Sequence, residues 1–477
     1  MNKDLDYSKI AVYYFIGTLF QKGIAFLTVP IFTRIMGTDD YGLISTYNSW
    51  LTIISMLISA ALYMSLRLAF VDYKDEVDDF LASITTFAIL DGAVFCLGAV
   101  FVWFLTGSRL YFILALVCVF QATGGAIMAD VTQYNMMQYR YRMRTALMIV
   151  PSLLSVIFSI ITILLLKENK YLGRIFPTAL VNTAFGIVLA VIIYRKCTVP
   201  VKKEHIIYGL KISAPLILHG IALNILSSSD RIMITSIRNS SETGIYSLIY
   251  NVGMLATAIT TSLDGIWSPW FIRKMDKRIS GRSTQFDAES AVNTENAEIN
   301  AAFKAYLQAM TIVMIAIILV GPEIVKILAD KRYWEGIPII PPIVLANYMI
   351  FVYTFYVGIE HFYKKTVFIS VNTIIAAGVN VLLNALLIPR YGYVAAAYTT
   401  LAAYIVSLIL HMIRSYRLDR ELFCGKDIIA PLMLIVIAVA VFYAAADAFV
   451  IRWLIALCCM AYLAVKYRDK IRGYIKR

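Results

Sequence analysis

Lys22, Asp91, His219 and Asp264 each stand inside a long apolar run, where an ionisable side chain costs several kcal/mol unless it meets water or a partner. In a chain with only 15% charged residues, these four are the first candidates for chemistry. An ammonium in a wet cavity binds a phosphate or another oxyanion, so Lys22 reads as a substrate ligand; a structural pairing of Lys22 with Asp91 is the other reading. A buried carboxylate or imidazole takes up a proton or a cation, which makes Asp91, His219 and Asp264 candidates for ion coupling. For His219 a hydrogen-bonded core role stands beside that one. Polar side chains recur around them at helical spacing: Asn48, Thr52, Ser55 and Ser59 in one run, Thr257, Thr261, Asp264 and Ser268 in another. Steps of four, three and four put each set on one helix face. Such a face lines a water-filled lumen or glues membrane helices together. With Asn224, the candidate cavity residues are therefore Lys22, Asn48, Thr52, Ser55, Asn224, Thr257 and Thr261; Asn380 and Asn384 are a further polar pair whose reading stays open.

Other chemistries lack their residues. The six cysteines show no C-x-x-C spacing, the four histidines are scattered, and no glycine-rich loop ends in Gly-Lys-Ser/Thr, so neither a metal site, a disulfide framework nor a nucleotide-driven motor is expected. No cofactor is expected either. The net charge of +13 is spread over many short loops and a basic tail, a pattern that marks orientation and contact with anionic lipids rather than nucleic acid.

The elements that must position these residues are about fourteen apolar stretches of roughly 20 residues, the length that crosses a bilayer as a helix. They take up nearly the whole of a chain that is 60% hydrophobic, which predicts an all-α polytopic membrane protein. The second stretch is placed at 41–66, the eleventh at 366–388 and the twelfth at 392–413. The N-terminal segment lacks a cleavage pattern, and its first apolar stretch is expected to stay in the membrane. With that terminus inside, thirty Lys and Arg fall on the cytoplasmic side and twelve on the outer side, so both termini are expected in the cytoplasm. Residues 273–300, the longest polar run, read as a partly helical solvated linker lying on the lipid heads.

Two hairpins repeat. Thr33 to Asn48 and Thr235 to Asn251 align Gly42 with Gly244 at an offset of 202, each followed three residues later by a serine. At that offset Lys22 falls on Asn224. A weaker echo joins Tyr171-Leu-Gly173 to Tyr391-Gly392. The expected organisation is two six-helix lobes, 1–200 and 201–415, in pseudo-twofold relation around a central cavity, with two more helices and a basic tail in 416–477. Such duplication is the architecture of alternating access.

The run Ile24-Ala-Phe-Leu-Thr-Val-Pro-Ile-Phe-Thr-Arg-Ile-Met-Gly37 into Asp40-Tyr-Gly42, then Ser229-Asp230-Arg231-Ile-Met-Ile234, Gly244-Ile-Tyr-Ser247, Trp267-Ser-Pro269-Trp270 and Ile388-Pro-Arg-Tyr-Gly392 resembles the Wzx-type polysaccharide flippases of the multidrug, oligosaccharidyl-lipid and polysaccharide exporter superfamily. The resemblance implies transfer of an undecaprenyl-pyrophosphate-linked oligosaccharide to the outer leaflet, coupled to an H+ or Na+ gradient, with Lys22 as the cavity cation and a polysaccharide polymerase complex as a candidate partner. Asp91 and Asp264 depart from a purely cationic lumen. A drug or organic-cation antiporter of the same superfamily is the main rival, although its site would favour carboxylates over Lys22. A polysaccharide-assembly enzyme would need a sizeable outer loop that is missing here, and an assembly scaffold is a further alternative.

Overall fold

A hydrophobic chain without turn signals for strands has one way to satisfy its backbone in a bilayer, and that is to form helices. The computed structural model describes residues 20, 23–24, 26–281 and 288–466, and every regular element among them is helical. They are α1 (Phe26–Ile35), α2 (Thr38–Ser59), α3 (Leu66–Asp72), α4 (Val77–Thr106), α5 (Arg109–Met137), α6 (Tyr141–Leu165), α7 (Leu172–Tyr194), α8 (Lys203–Ile237), α9 (Ser240–Gly281), α10 (Ala288–Leu328), α11 (Ile340–Phe362), α12 (Thr366–Leu418), α13 (Lys426–Ala444) and α14 (Phe449–Lys466). Nine helices among the described residues are long and apolar enough to cross a membrane. α2, α8 and α9 match them in length but are more polar. Those three lie in the hairpins that repeat.

α12 holds two of the expected stretches. Gly392 breaks it at φ 59°, ψ −146°, a conformation close to glycine-only, three residues after Pro389. The second expected stretch ends early. α2 stops at Ser59, because Ala60 and Ala61 take left-handed φ values of 44° and 49°. That costs about 1–2 kcal/mol per residue. Burial of Ile58, Leu62 and Leu66, none more than 1% exposed, offsets it, and Ser213 Oγ donates to the Ala61 carbonyl at 3.2 Å.

The chain divides into two compact units, Met1–Gly244 and Ile245–Arg477. In the first, α8 packs on α2 and α4 and is clamped at its foot. Asp79 accepts from the Thr198 and Val199 amides at 2.7 and 3.1 Å. Lys202 Nζ reaches Glu76 at 2.8 Å and Asp79 at 3.3 Å, and its hydrogen bond holds the Glu76 carboxyl below the usual carboxylate range. Higher up, the two repeat glycines meet. A Cβ on Gly42 would sit 1.7 Å from the Ser240 carbonyl oxygen, and one on Gly244 would sit 2.1 Å from that of Thr38. Thr38 maps onto Ser240 at the same offset as Gly42 onto Gly244, so the contact is reciprocal. Hydroxyls tie it: Thr38 with Ser241 at 2.6 Å and Thr46 with Thr235 at 2.6 Å.

In the second unit α11 packs on α12, while α13 and α14 pack on α10. Arg452 of α14 is 1% exposed and pairs with Glu323 of α10. The stretch 273–300 is partly helical as expected, but it is paired and partly buried rather than free in solvent. α9 and α10 extend through most of it as helices, Lys274 and Lys277 pair with Glu295 at 2.8 and 2.5 Å, and the 1% exposed Arg278 bonds Asp419 and Glu421. Charge spacing at helix turns supplies the pairs, and burial of Arg278 makes the latch specific.

Gly244→Ala drives a methyl into backbone that cannot yield, and such overpacking costs about 1–3 kcal/mol or more. Thermal unfolding of the detergent-solubilised chain should show a midpoint several degrees lower for Gly244→Ala. Gly98→Ala, with no described atom within 4 Å of its Cβ position, should leave it unchanged.

Candidate functional site

α2 divides its residues cleanly. Ile44, Tyr47 and Ile58 are buried in the first unit, with the Tyr47 hydroxyl donating to Gln121 at 2.7 Å. Asn48 and Thr52 are exposed and Ser55 is half-buried on the other face, where the Thr52 hydroxyl turns back to the Asn48 carbonyl at 2.8 Å. A helix of bilayer length that leaves amide and hydroxyl groups uncovered by protein needs water there. Asn224 is half-buried on α8, one turn beyond Gly220, which approaches Met56 of α2. The first unit therefore brings Asn48, Thr52, Ser55 and Asn224 onto two packed helices.

In the second unit Thr261 and Asp264 are exposed on α9, and Asp264 lies within electrostatic reach of His361. Thr257 differs: its hydroxyl donates to Asn347 of α11 at 2.6 Å, and Gly253 lets α11 approach, its Cβ position lying 2.4 Å from Ile343. Asp91 is half-buried on α4. Lys22 lies outside the described residues, as does the side chain of His219. Asn380 and Asn384 are fully buried and close a network with Thr400 at 3.2 Å and with Thr399, so they act as glue between the two arms of α12.

Within the first unit a cleft of about 620 Å³ runs between α5, α6 and α7, with Ile24 and Tyr63 also on its lining. Its walls carry Arg144, Arg174, Gln133, Thr132, Ser152, Ser155, Thr178 and Asn182. It follows α6 from Arg144 to Val156, about 18 Å at 1.5 Å per residue. The sequence prepares it: Pro151 cannot donate inside α6, and Gly124 lets α5 touch α7, where its Cβ would lie 2.4 Å from the Asn182 carbonyl. Neighbouring Gly125 faces the cleft with no described atom within 4 Å of its Cβ position. Arg174 stacks on Phe32 at 4.3 Å. The second unit carries a buried acid–imidazole pair instead, His411 Nδ1 to Glu360 at 3.0 Å.

The profile of the family described as polysaccharide biosynthesis protein matches residues 9–275. The chain belongs to that family. A family assignment over the first nine helices fits the coincidence of its polar helices with the repeat. Lsg locus putative protein 1 of Haemophilus influenzae is 22% identical over 279 residues, 57% of this chain and 67% of that protein. Among solved structures, lipid II flippase MurJ in an inward closed conformation superposes with a TM-score of 0.64 at 16% identity, covering 97% of this chain and 99% of that one. An outward-facing multidrug resistance MATE family transporter of the MOP superfamily gives 0.54 at 13% identity, covering 87% and 96%. The fold of this member of the polysaccharide biosynthesis family is thus one shared with transporters, and it is a multi-pass membrane protein.

Neither Arg144 nor Arg174 was a site candidate from sequence, because counting charges put them at opposite ends of the membrane. The usable signal was the polar run Ser152, Ser155, Thr178 and Asn182 at helical spacing beside them.

A wet α2 face makes a concrete expectation. In a chain stripped of its native cysteines, Asn48→Cys and Thr52→Cys should react with a water-soluble maleimide at least tenfold faster than Leu97→Cys, whose position on α4 is 70% exposed among purely apolar neighbours. Thiolates form only where water reaches. Equal rates would place the α2 face in lipid.

Proposed function

We propose that this chain carries an undecaprenyl-pyrophosphate-linked oligosaccharide from the cytoplasmic to the outer leaflet of the bacterial inner membrane by alternating access. The observation that carries the reading is the polar face of α2, left uncovered on a bilayer-length helix in a chain of the polysaccharide biosynthesis family. A saccharide head needs a wetted path, and its lipid tail needs none. Membership of that family supports a glycan cargo, and the fold shared with a lipid II flippase supports movement of a lipid-linked one.

In this reading Lys22 holds the diphosphate, and Asn48, Thr52, Ser55, Asn224, Thr257 and Thr261 meet sugar hydroxyls. Asp91, His219 and Asp264 take the H+ or Na+ that drives the cycle. Two six-helix lobes, 1–200 and 201–415, rock about the site, with both termini in the cytoplasm and basic loops on anionic lipid. A polymerase complex would receive the product. An organic-cation exporter would want carboxylates along its polar walls, whereas the described wall of the first unit's cleft carries two arginines and none.

Reconstituted vesicles holding a fluorescent undecaprenyl-pyrophosphate-linked oligosaccharide test this through quenching by an external reagent. The wild-type chain should expose the dye at least tenfold faster than empty vesicles, and Lys22→Ala should lose most of that rate. Full rate in Lys22→Ala removes that residue's role, and no transfer by the wild type removes the function. Full rate without any ion gradient removes the coupling.

A further inference from the structure

The cleft between α5, α6 and α7 carries cationic, amide and hydroxyl side chains on its wall. Two of its buried donors have nothing to bond among the described residues: Arg174 Nη1 and Gln133 Nε2. Gln133 is 8% exposed. A guanidinium in that position is costly in a bilayer unless an acceptor or water answers it. The neighbouring hydroxyls have the opposite need. Thr178 donates to the Arg174 carbonyl at 2.8 Å and Ser152 to the Met148 carbonyl at 2.9 Å. Their hydrogens are spent, so they present oxygen lone pairs to the cleft.

Cationic and amide donors beside hydroxyl acceptors, with no carboxylate on the described wall, match one class of molecule. A phosphate or diphosphate supplies acceptors for the donors, and an attached sugar supplies hydroxyl donors for the acceptors. The volume of about 620 Å³ falls in the range of small-molecule sites, about 300–1,000 Å³. We propose that this cleft, within the first unit alone, is a binding site for a glycosyl phosphate or diphosphate whose phosphate is held by Arg174. The site stands on its own geometry; that its occupant is the transported head group rests on the flippase reading. One ligand chemistry could arrive on a carrier lipid or as a free solute.

Two variants probe it differently. Arg174→Gln removes the charge, and Gly125→Leu fills part of the cleft while leaving every polar group in place. The full chain in detergent is titrated with inorganic pyrophosphate, or with undecaprenyl pyrophosphate in mixed micelles, and thermal unfolding is followed. The wild type should be stabilised saturably, and both variants should bind at least tenfold more weakly. Binding of both probes supports a site for the free oxyanion; binding of the lipid alone supports the carrier as its source. No saturable stabilisation by either probe overturns the proposal. So does wild-type affinity in Gly125→Leu, which decides the matter by itself if Arg174→Gln fails to fold. Vesicle transfer run in parallel separates the two readings. A wild type that binds pyrophosphate but moves no lipid-linked oligosaccharide keeps the cleft and loses the flippase. One that moves the oligosaccharide but binds neither probe keeps the flippase and loses the cleft.

Discussion

Hydrocarbon offers no hydrogen bonds, and that scarcity organises this molecule. Each polar side chain inside a span has to find protein, water or a ligand. Where partners exist they form closed sets. Asn380, Asn384, Thr399 and Thr400 satisfy one another across the broken helix α12, Glu360 meets His411, and Glu323 meets both Arg452 and the Trp453 indole. Arg174 Nη1 and Gln133 Nε2 find no partner among the described residues, and both residues line the cleft of the first unit. Function is read from that cleft and from the uncovered face of α2.

Close approach of backbones is the second constraint. Between membrane helices the attraction comes from packing rather than from expulsion of water, so small residues set the contacts. Gly42 and Gly244 let α2 meet the start of α9, Gly124 and Gly186 let α5 meet α7, and Gly173 seats α7 against Ile163 of α6. The first of these contacts joins residues that the internal repeat makes equivalent. The third lies next to Arg174, which lines the polar cleft.

Much of the fold was legible in the sequence because the bilayer imposes a length. From the second onward the expected stretches have helices to match them, including the pair separated at Gly392. The matched glycines were legible too, although sequence could not tell that they touch. The end of α2 was not, since nothing in Ser59-Ala-Ala-Leu announces two alanines in a left-handed conformation; buried leucines beyond them decide it. The stretch 273–300 was legible as partly helical, but hydropathy could not show that pairs such as Lys274 with Glu295 bury part of it. Of the candidate site, the α2 face was readable from its spacing. The cleft was hidden, as its lining comes from α5, α6 and α7 and only their packing brings Gln133, Ser152 and Thr178 to one cavity.

The last two helices are tethered by bonds of unlike character. α14 is held through the sequestered Arg452, where counterions have little reach. α13 carries Asp427 in its first turn, tied by Lys304 at 3.1 Å with the lysine 53% exposed, where a Debye length of about 8 Å at physiological ionic strength screens the attraction. Raising the electrolyte concentration would therefore slacken the foot of α13 and leave α14 anchored, so the appended pair can respond to its ionic surroundings one helix at a time.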